Sequence, residues 1–134
     1  MVKGTSTNVN TLCFPKRERM VSQKLIDMLF SGSRSVAAFP LRAVYMYKSR
    51  AQGEEAVQVL ISVPKKHFHH AVDRNRVKRQ IREAYRHHKS LVSDALPADQ
   101  QLLLAFVWLS DQHYPTSEVE RRVTTLLNRI AEKL

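Results

Sequence analysis

Apolar positions along this chain change their spacing several times, and each change marks an element. Residues 1–13 are polar and carry no period, which predicts a flexible arm with the folded part beginning at Phe14. After Ser22, a residue suited to cap a helix, Leu25, Ile26, Leu29 and Phe30 fall on one helical stripe, and Gly32 is placed to end it. From Phe39 to Tyr47 β-branched and aromatic residues dominate. Arg42, Val44 and Met46 fall on one side of that strand, and Ala43, Tyr45 and Tyr47 on the other. A weakly apolar stretch containing Gly53 follows. Val57, Val59, Ile61 and Val63 then alternate with Gln58, Leu60 and Ser62, so the simplest pairing of the two strands is a hairpin.

Pro64 closes the second strand, and Leu96-Pro97-Ala98-Asp99 leads into Gln101 to Leu109, an apolar run that reads as a buried strand. A helix lies between them. Asp111 to Pro115 is a turn-like break. Ser117 is the candidate cap of a terminal helix with Glu118 and Glu120 in its first turn, Lys133 in its last, and an apolar stripe of Val119, Val123, Leu126, Leu127 and Ile130. The order is α-β-β-α-β-α, and the strands flanking the middle helix can be parallel and joined by a crossover. The predicted class is α+β, an α/β sandwich of a small mixed sheet and about three helices, in a single domain over residues 14–134.

Charge then narrows the partners. Lys and Arg number 22 against 12 Asp and Glu, a net charge of +10, while 43% hydrophobic residues suffice for a packed core. Such an excess favours nucleic acid or an anionic membrane surface, then acidic proteins. The longest apolar run is strand-sized, far short of the roughly 20 residues of a membrane span. The first ten residues lack the apolar segment of a secretion signal. Cys13 is alone, which excludes an intrachain disulfide and a cysteine metal cluster. These features fit a reducing cytoplasm, with no membrane partner and no obligatory protein partner.

The densest chemistry lies in Asp73 to Lys89, where seven of 17 residues are Lys or Arg. At about 100° per residue, Asn75, Lys78, Arg79, Arg82, Arg86 and Lys89 share one helical face, with Val77, Ile81, Ala84 and Leu91 opposite. Arg74 and Arg76 flank that face near the helix N-terminus, where free amides and the helix dipole also attract phosphate. Guanidinium forks match phosphate oxygens bidentately. The plainer reading is a solvated face on which Glu83 pairs with Arg79 or Arg86. Lys65 and Lys66, at the preceding strand's end, weigh against it by adding a second basic element at the same edge. His67, His69 and His70 are further donors to phosphate, since a metal site needs a convergence that their spacing does not ensure. Asp73 and Glu83 lie about 15 Å apart on a continuous helix, too far to share one ion. Phe30, Tyr45 and Tyr47 are rings on which bases can stack or which can fill the core. For the tyrosines the core or a rim is favoured, and Trp108 belongs in the core.

One arrangement is more specific than a basic helix. Ile61-Ser62-Val63-Pro64-Lys65-Lys66, then after seven residues Arg74-Asn75-Arg76-Val77-Lys78-Arg79 and Ile81-Arg82-Glu83-Ala84-Tyr85-Arg86, resembles the protein subunit of bacterial ribonuclease P. Phe14-Pro15-Lys16 with Arg19, and the short helix ending in Leu29-Phe30 and Gly32, resemble that family's N-terminal segment, so the likeness spans about residues 14–132. The resemblance implies a left-handed β-α-β crossover carrying the signature helix. It implies a ribonucleoprotein that removes the 5′ leader of precursor tRNA by hydrolysis of one phosphodiester bond, with catalysis by the RNA subunit and Mg2+ held mainly by RNA.

On that analogy this chain supplies no catalytic residue and no metal ligand of its own. Arg74, Asn75, Arg76, Lys78, Arg79, Arg82 and Arg86 form the face for the catalytic RNA, and Phe30, Val44, Lys65, Lys66 and Ile26 form the cleft for the leader. Ile26 and Val44 stand where the family often has aromatics, which implies weaker stacking. Pro64 replaces a small residue before the lysines, tolerable at a strand end because its missing amide need not belong to the ladder. The alternative is a general basic RNA-binding module without a role in tRNA processing.

Overall fold

The computed structural model describes residues 18–20, 22–32 and 34–134. The polar arm of residues 1–13, its Cys13 and the Phe14-Pro15-Lys16 match lie outside the described residues. The elements in chain order are α1 (Gln23–Gly32), β1 (Arg34–Ala38), β2 (Leu41–Ser49), β3 (Val57–Ser62), α2 (Ala71–His88), α3 (Ser90–Ser93), β4 (Gln100–Trp108) and α4 (Thr116–Ala131). The four strands form one mixed sheet in the order β1-β2-β4-β3, with β3 parallel to β4 and the other neighbours antiparallel. The α+β class and the parallel pair flanking the middle helix are as expected from the sequence.

The expected hairpin between the second and third strands does not form. β4 inserts between them, because Leu102 to Phe106 is apolar on both faces and needs neighbours on both edges as well as cover on both sides. β2 instead makes its hairpin with β1 across a cis Phe39-Pro40 peptide. The sequence reading missed β1 because that strand lies at the edge of the sheet with Arg34, Ser35 and Ala37 exposed, so it lacks an apolar alternation.

Alternation along the strands separates two cores. Leu41, Ala43, Tyr45, Val57, Val59, Leu102, Leu104, Phe106 and Trp108 face α2 and α4, whose Val77, Ile81, Ala84, Val119, Val123, Leu126, Leu127 and Ile130 complete the larger core. Trp108 and every residue of the predicted α4 stripe are fully buried. On the other face Val44, Leu103 and Ala105 pack with Met20 and Leu29 beneath α1. Ser22 caps α1 as expected, its Oγ accepting from the Leu25 amide at 3.4 Å. α4 starts earlier than Ser117: Pro115, with its fixed φ and a carbonyl that accepts from the Glu118 and Val119 amides, is its N-cap. Lys133 lies past the end of α4, whose last-turn base is Arg129, donating to the Ala37 carbonyl at 2.6 Å.

Two residues of the middle segment play roles that its charge pattern hid. Lys89 is buried and pairs with Glu18 at 3.0 Å, tying the end of α2 to the segment before α1 rather than extending a solvated face. Tyr85 is 1% exposed, and burial first, then the nearby Glu18 carboxylate, pushes its phenol well above the usual tyrosine range.

Ile81→Ala, which empties a site at the α2–sheet contact, is expected to lower unfolding free energy by about 2–5 kcal/mol in denaturant titrations. Tyr85 also predicts an alkaline limit. Its raised pKa contributes stability that is complete below pH ~10, the pKa of an unfolded phenol, and that is lost as pH climbs beyond it. Tyr85→Phe is expected to remove about 1.4 kcal/mol per pH unit from the slope of stability above that point.

Candidate RNA interface

Three segments meet at the end of the sheet where β3 stops. Pro64 to His70 leaves β3 in a tight turn, with the His67 amide donating to the Pro64 carbonyl at 3.1 Å, and it presents Lys65 and Lys66 to solvent. α2 begins directly after it, capped by the extended backbone of His70 with no side-chain cap. The 109–115 loop lies against both: His67 Nδ1 is 2.6 Å from Asp111 Oδ1, His113 Nε2 is 3.2 Å from Asp73 Oδ1, and the Phe68 and His113 rings stack at 4.6 Å. His67 is therefore engaged with a carboxylate, whereas His69 and His70 are exposed. Gln80, 8% exposed, donates from Nε2 to the Tyr114 carbonyl and to Thr116 Oγ1, fixing α2 against the start of α4.

On this scaffold the signature side chains divide. Asn75, Arg76 and Arg79 are exposed on the outer face of α2. Arg74 is half-buried, and its Nη1 donates to the carbonyls of Phe68 and His69 at 2.8 and 2.9 Å, bracing the turn that carries Lys65 and Lys66. Arg86 forms a two-point pair with Glu83, at 2.7 and 3.3 Å, and that bond holds the Glu83 carboxyl below the usual carboxylate range. The plainer alternative, an ordinary surface pair, thus describes Arg86. His87 and His88 lie 3.9 and 3.8 Å from Glu120 on α4.

Lys78 and Arg82 turn toward β3. With Arg19, Met20, Val59, Leu60 and Ile61 they line a cavity of about 240 Å³ with cationic walls and an apolar floor. Arg82 Nε is buried there without a hydrogen-bond partner. Arg19, beside Val59 in an isolated bridge at the edge of β3, is a wall residue that sequence reasoning used only as part of a family likeness. Among the described residues no group of three or more His, Cys, Asp or Glu is arranged to hold a metal ion.

The cleft residues belong to the other face of the sheet. Phe30 is 47% exposed on α1, which answers the choice between core and surface in favour of an available ring. Ile26 is half-buried, one helical turn away, against the smaller core. Val44 is only 2% exposed: it packs in the floor beneath α1, out of reach of a stacked base, because α1 crosses the sheet directly above it. Tyr45 is in the larger core and Tyr47, 36% exposed, is at the rim. The structure thus brings Asn75, Arg76 and Arg79 together on one surface, with Lys78 and Arg82 on its inner flank and Lys65 and Lys66 at its end. Phe30 and Ile26 stand on a separate wall.

Comparison with known proteins agrees with this architecture. The Ribonuclease P family model matches residues 14–131. A ribonuclease P protein component of Porphyromonas gingivalis is 38% identical over 126 residues, covering 93% of this chain and 91% of that protein. One from Chlorobaculum tepidum is 36% identical over 81% of this chain and 75% of its own. Among solved structures, the Staphylococcus aureus RNase P protein superposes with a TM-score of 0.67 at 22% identity, covering 86% of this chain and 95% of that one. The Thermotoga maritima protein gives 0.64 at 20% identity, covering 84% and 96%. These last two show the shared fold. With its basic helix, its strand-end lysines and a family match running almost the length of the chain, the chain belongs to the ribonuclease P protein component family.

Proposed function

We propose that this protein binds the catalytic RNA of ribonuclease P through the outer face of α2, and holds the single-stranded 5′ leader of precursor tRNA along the open side of the sheet. The RNA subunit then hydrolyses the phosphodiester bond that frees the mature 5′ end. The observation that carries this reading is the composition of the surface itself. Guanidinium, ammonium and amide groups of Arg76, Arg79, Lys65, Lys66 and Asn75 stand exposed around one end of the sheet, and a half-exposed ring at Phe30 stands on the wall above its open face. Such groups hold phosphate and stack bases. Activating a water would call for a paired acid and base or a metal-ligand set.

The cavity walled by Arg19, Lys78 and Arg82 suits one backbone phosphate, with its sugar over Met20 and Leu60. Mg2+ belongs chiefly to the RNA in this reading, and the protein lowers its requirement by supplying fixed cations. No helix among the described residues is long and apolar enough to cross a membrane. A cytoplasmic site of action completes the proposal.

The primary test is cleavage of a precursor tRNA by a bacterial ribonuclease P RNA at low magnesium, with and without the protein. The expected result is stimulation, with precursor bound more tightly than mature tRNA. Tight binding to arbitrary RNA without stimulation would instead identify a general RNA-binding module. Arg76→Ala and Arg79→Ala are each expected to weaken binding to the catalytic RNA and to flatten the dependence of log K on log salt by roughly 0.7–0.9 for each phosphate no longer neutralised. Phe30→Ala is expected to cost about 1–3 kcal/mol of precursor affinity while leaving mature tRNA binding and the thermal midpoint near wild type. Equal losses for both RNAs would remove Phe30 from the leader site.

A further inference from the structure

The strand register locates the part of the sheet that α1 leaves open. The chain enters α1 beside Val59, where the Met20 amide donates to the Val59 carbonyl at 2.8 Å, and it leaves α1 into Arg34. Arg34 pairs with Tyr45, Tyr45 with Leu104, and Leu104 with Val59, so both ends of the helix sit at one level of the sheet. α1 therefore runs across the strands. A helix is about 5–6 Å in radius with its side chains. It covers the rows of Val44 and Ala105 on one side of that level and Met46 and Leu103 on the other.

Three residues beyond that level, about 10 Å along the strands, lies the row Ala37, Arg42, Val107 and Ser62, which the helix does not reach. Arg42 and Ala37 are exposed there and Val107 and Ser62 half-exposed, whereas Val44 and Ala105 are buried two residues back along the strands. Three residues to the opposite side is the row of Lys48 and Gln101, and that end is closed. Lys48 is paired with Glu54 at 3.3 Å, and Gln101 donates to the Glu55 carbonyl at 3.0 Å. The Ala51 amide, then Lys48, holds the Glu54 carboxyl below the usual range, so the ion pair that closes this end stays charged on both partners.

We propose that Arg42 is a phosphate-binding residue of the leader cleft, taking a backbone phosphate of single-stranded RNA where the strand leaves the cover of α1 at the open end of the sheet. The proposal rests on the leader-binding reading above and adds to it a residue and a direction. Arg42 projects from the same sheet face as Val44 and Met46, and no described side chain or carbonyl accepts from it. Ser62 lies two strand spacings away, about 10 Å, and continues into Pro64, Lys65 and Lys66. Arg42 and the lysine pair thus flank an apolar floor from opposite edges, the arrangement by which basic grooves track a single strand. A leader on this face is blocked at the Glu54 end by the closed loop and drawn out at the Arg42 end.

The test uses the holoenzyme reconstituted with a bacterial ribonuclease P RNA and precursor tRNAs whose leaders are shortened stepwise. Arg42→Ala is expected to weaken binding of the long-leader precursor roughly tenfold, with no change for mature tRNA and no loss once the leader is too short to reach the open row. The salt slope for the long leader falls by about 0.7, and Arg42→Lys retains it. Arg34→Ala, an exposed cation whose position in β1 alternates to the other face of the sheet, leaves leader binding unchanged. If wild type prefers precursor over mature tRNA but Arg42→Ala and Arg42→Glu bind every leader as wild type does, the assignment of Arg42 is wrong while the leader-binding reading stands. If wild type shows no preference for precursor, that underlying reading fails first and Arg42 falls with it. Because Arg42 is exposed, unchanged thermal unfolding of the variants separates binding from folding.

Discussion

β4 is covered on both of its faces and paired along both of its edges. Gln101 to Phe106 are all buried, so β4 needs a strand on each edge and a layer on each face. The edges come from β2, antiparallel, and β3, parallel. A parallel neighbour cannot be reached by a tight turn, so the chain after β3 must travel back along the sheet before β4 begins, and the return is α2. A basic helix at the end of an edge strand is thus a consequence of how β4 is satisfied. The turn from β3 into α2 necessarily sits where the lysine pair and the arginine-asparagine-arginine run are encoded.

The two faces of β4 are covered unequally, and the proposed leader groove follows from the inequality. α2 and α4 cover most of the larger face, whereas α1, ten residues long and laid across the strands, covers only the middle of the other. A longer helix, or one aligned with the strands, would close the face. The short one leaves an open row at one end. The loop between β2 and β3 seals the other with Glu54 and Glu55. The result is a groove with a buried aliphatic floor under the helix, a ring at Phe30 on its wall and cations at its mouth.

What the sequence disclosed and what it concealed divide along one line. Features that depend on a residue's neighbours within its own element were legible: the α4 stripe, the burial of Trp108, the greasy back of α2, the cap at Ser22. Features that depend on a partner far along the chain were not. Nothing local in Phe39 to Tyr47 says that its partners are the polar segment from Arg34 and an apolar run about sixty residues later, so the adjacent strand was the natural but wrong choice. Lys89 looks like one more cation on a basic helix until Glu18, 71 residues earlier, is brought beside it. Val44 looks like a cleft residue until α1 is known to cross directly above it. Chain order alone put the lysine pair and the basic helix at one edge, but it could not say which of their charges face outward.

That last distinction changes how the charge of +10 should be read. Along α2 the cations serve at least three purposes. Arg74 braces the turn through two backbone carbonyls, and Arg86 and Lys89 neutralise Glu83 and Glu18. Arg76 and Arg79 alone of the signature arginines are plainly exposed. A polyanion docking here meets fewer free charges than the sequence counts, on a helix whose backbone and preceding turn are braced by the paired ones. The paired cations therefore act on RNA binding indirectly, by keeping α2 and its preceding turn rigid. Effective charge at this surface is set by the partners each cation finds in the fold and not by their number in the helix.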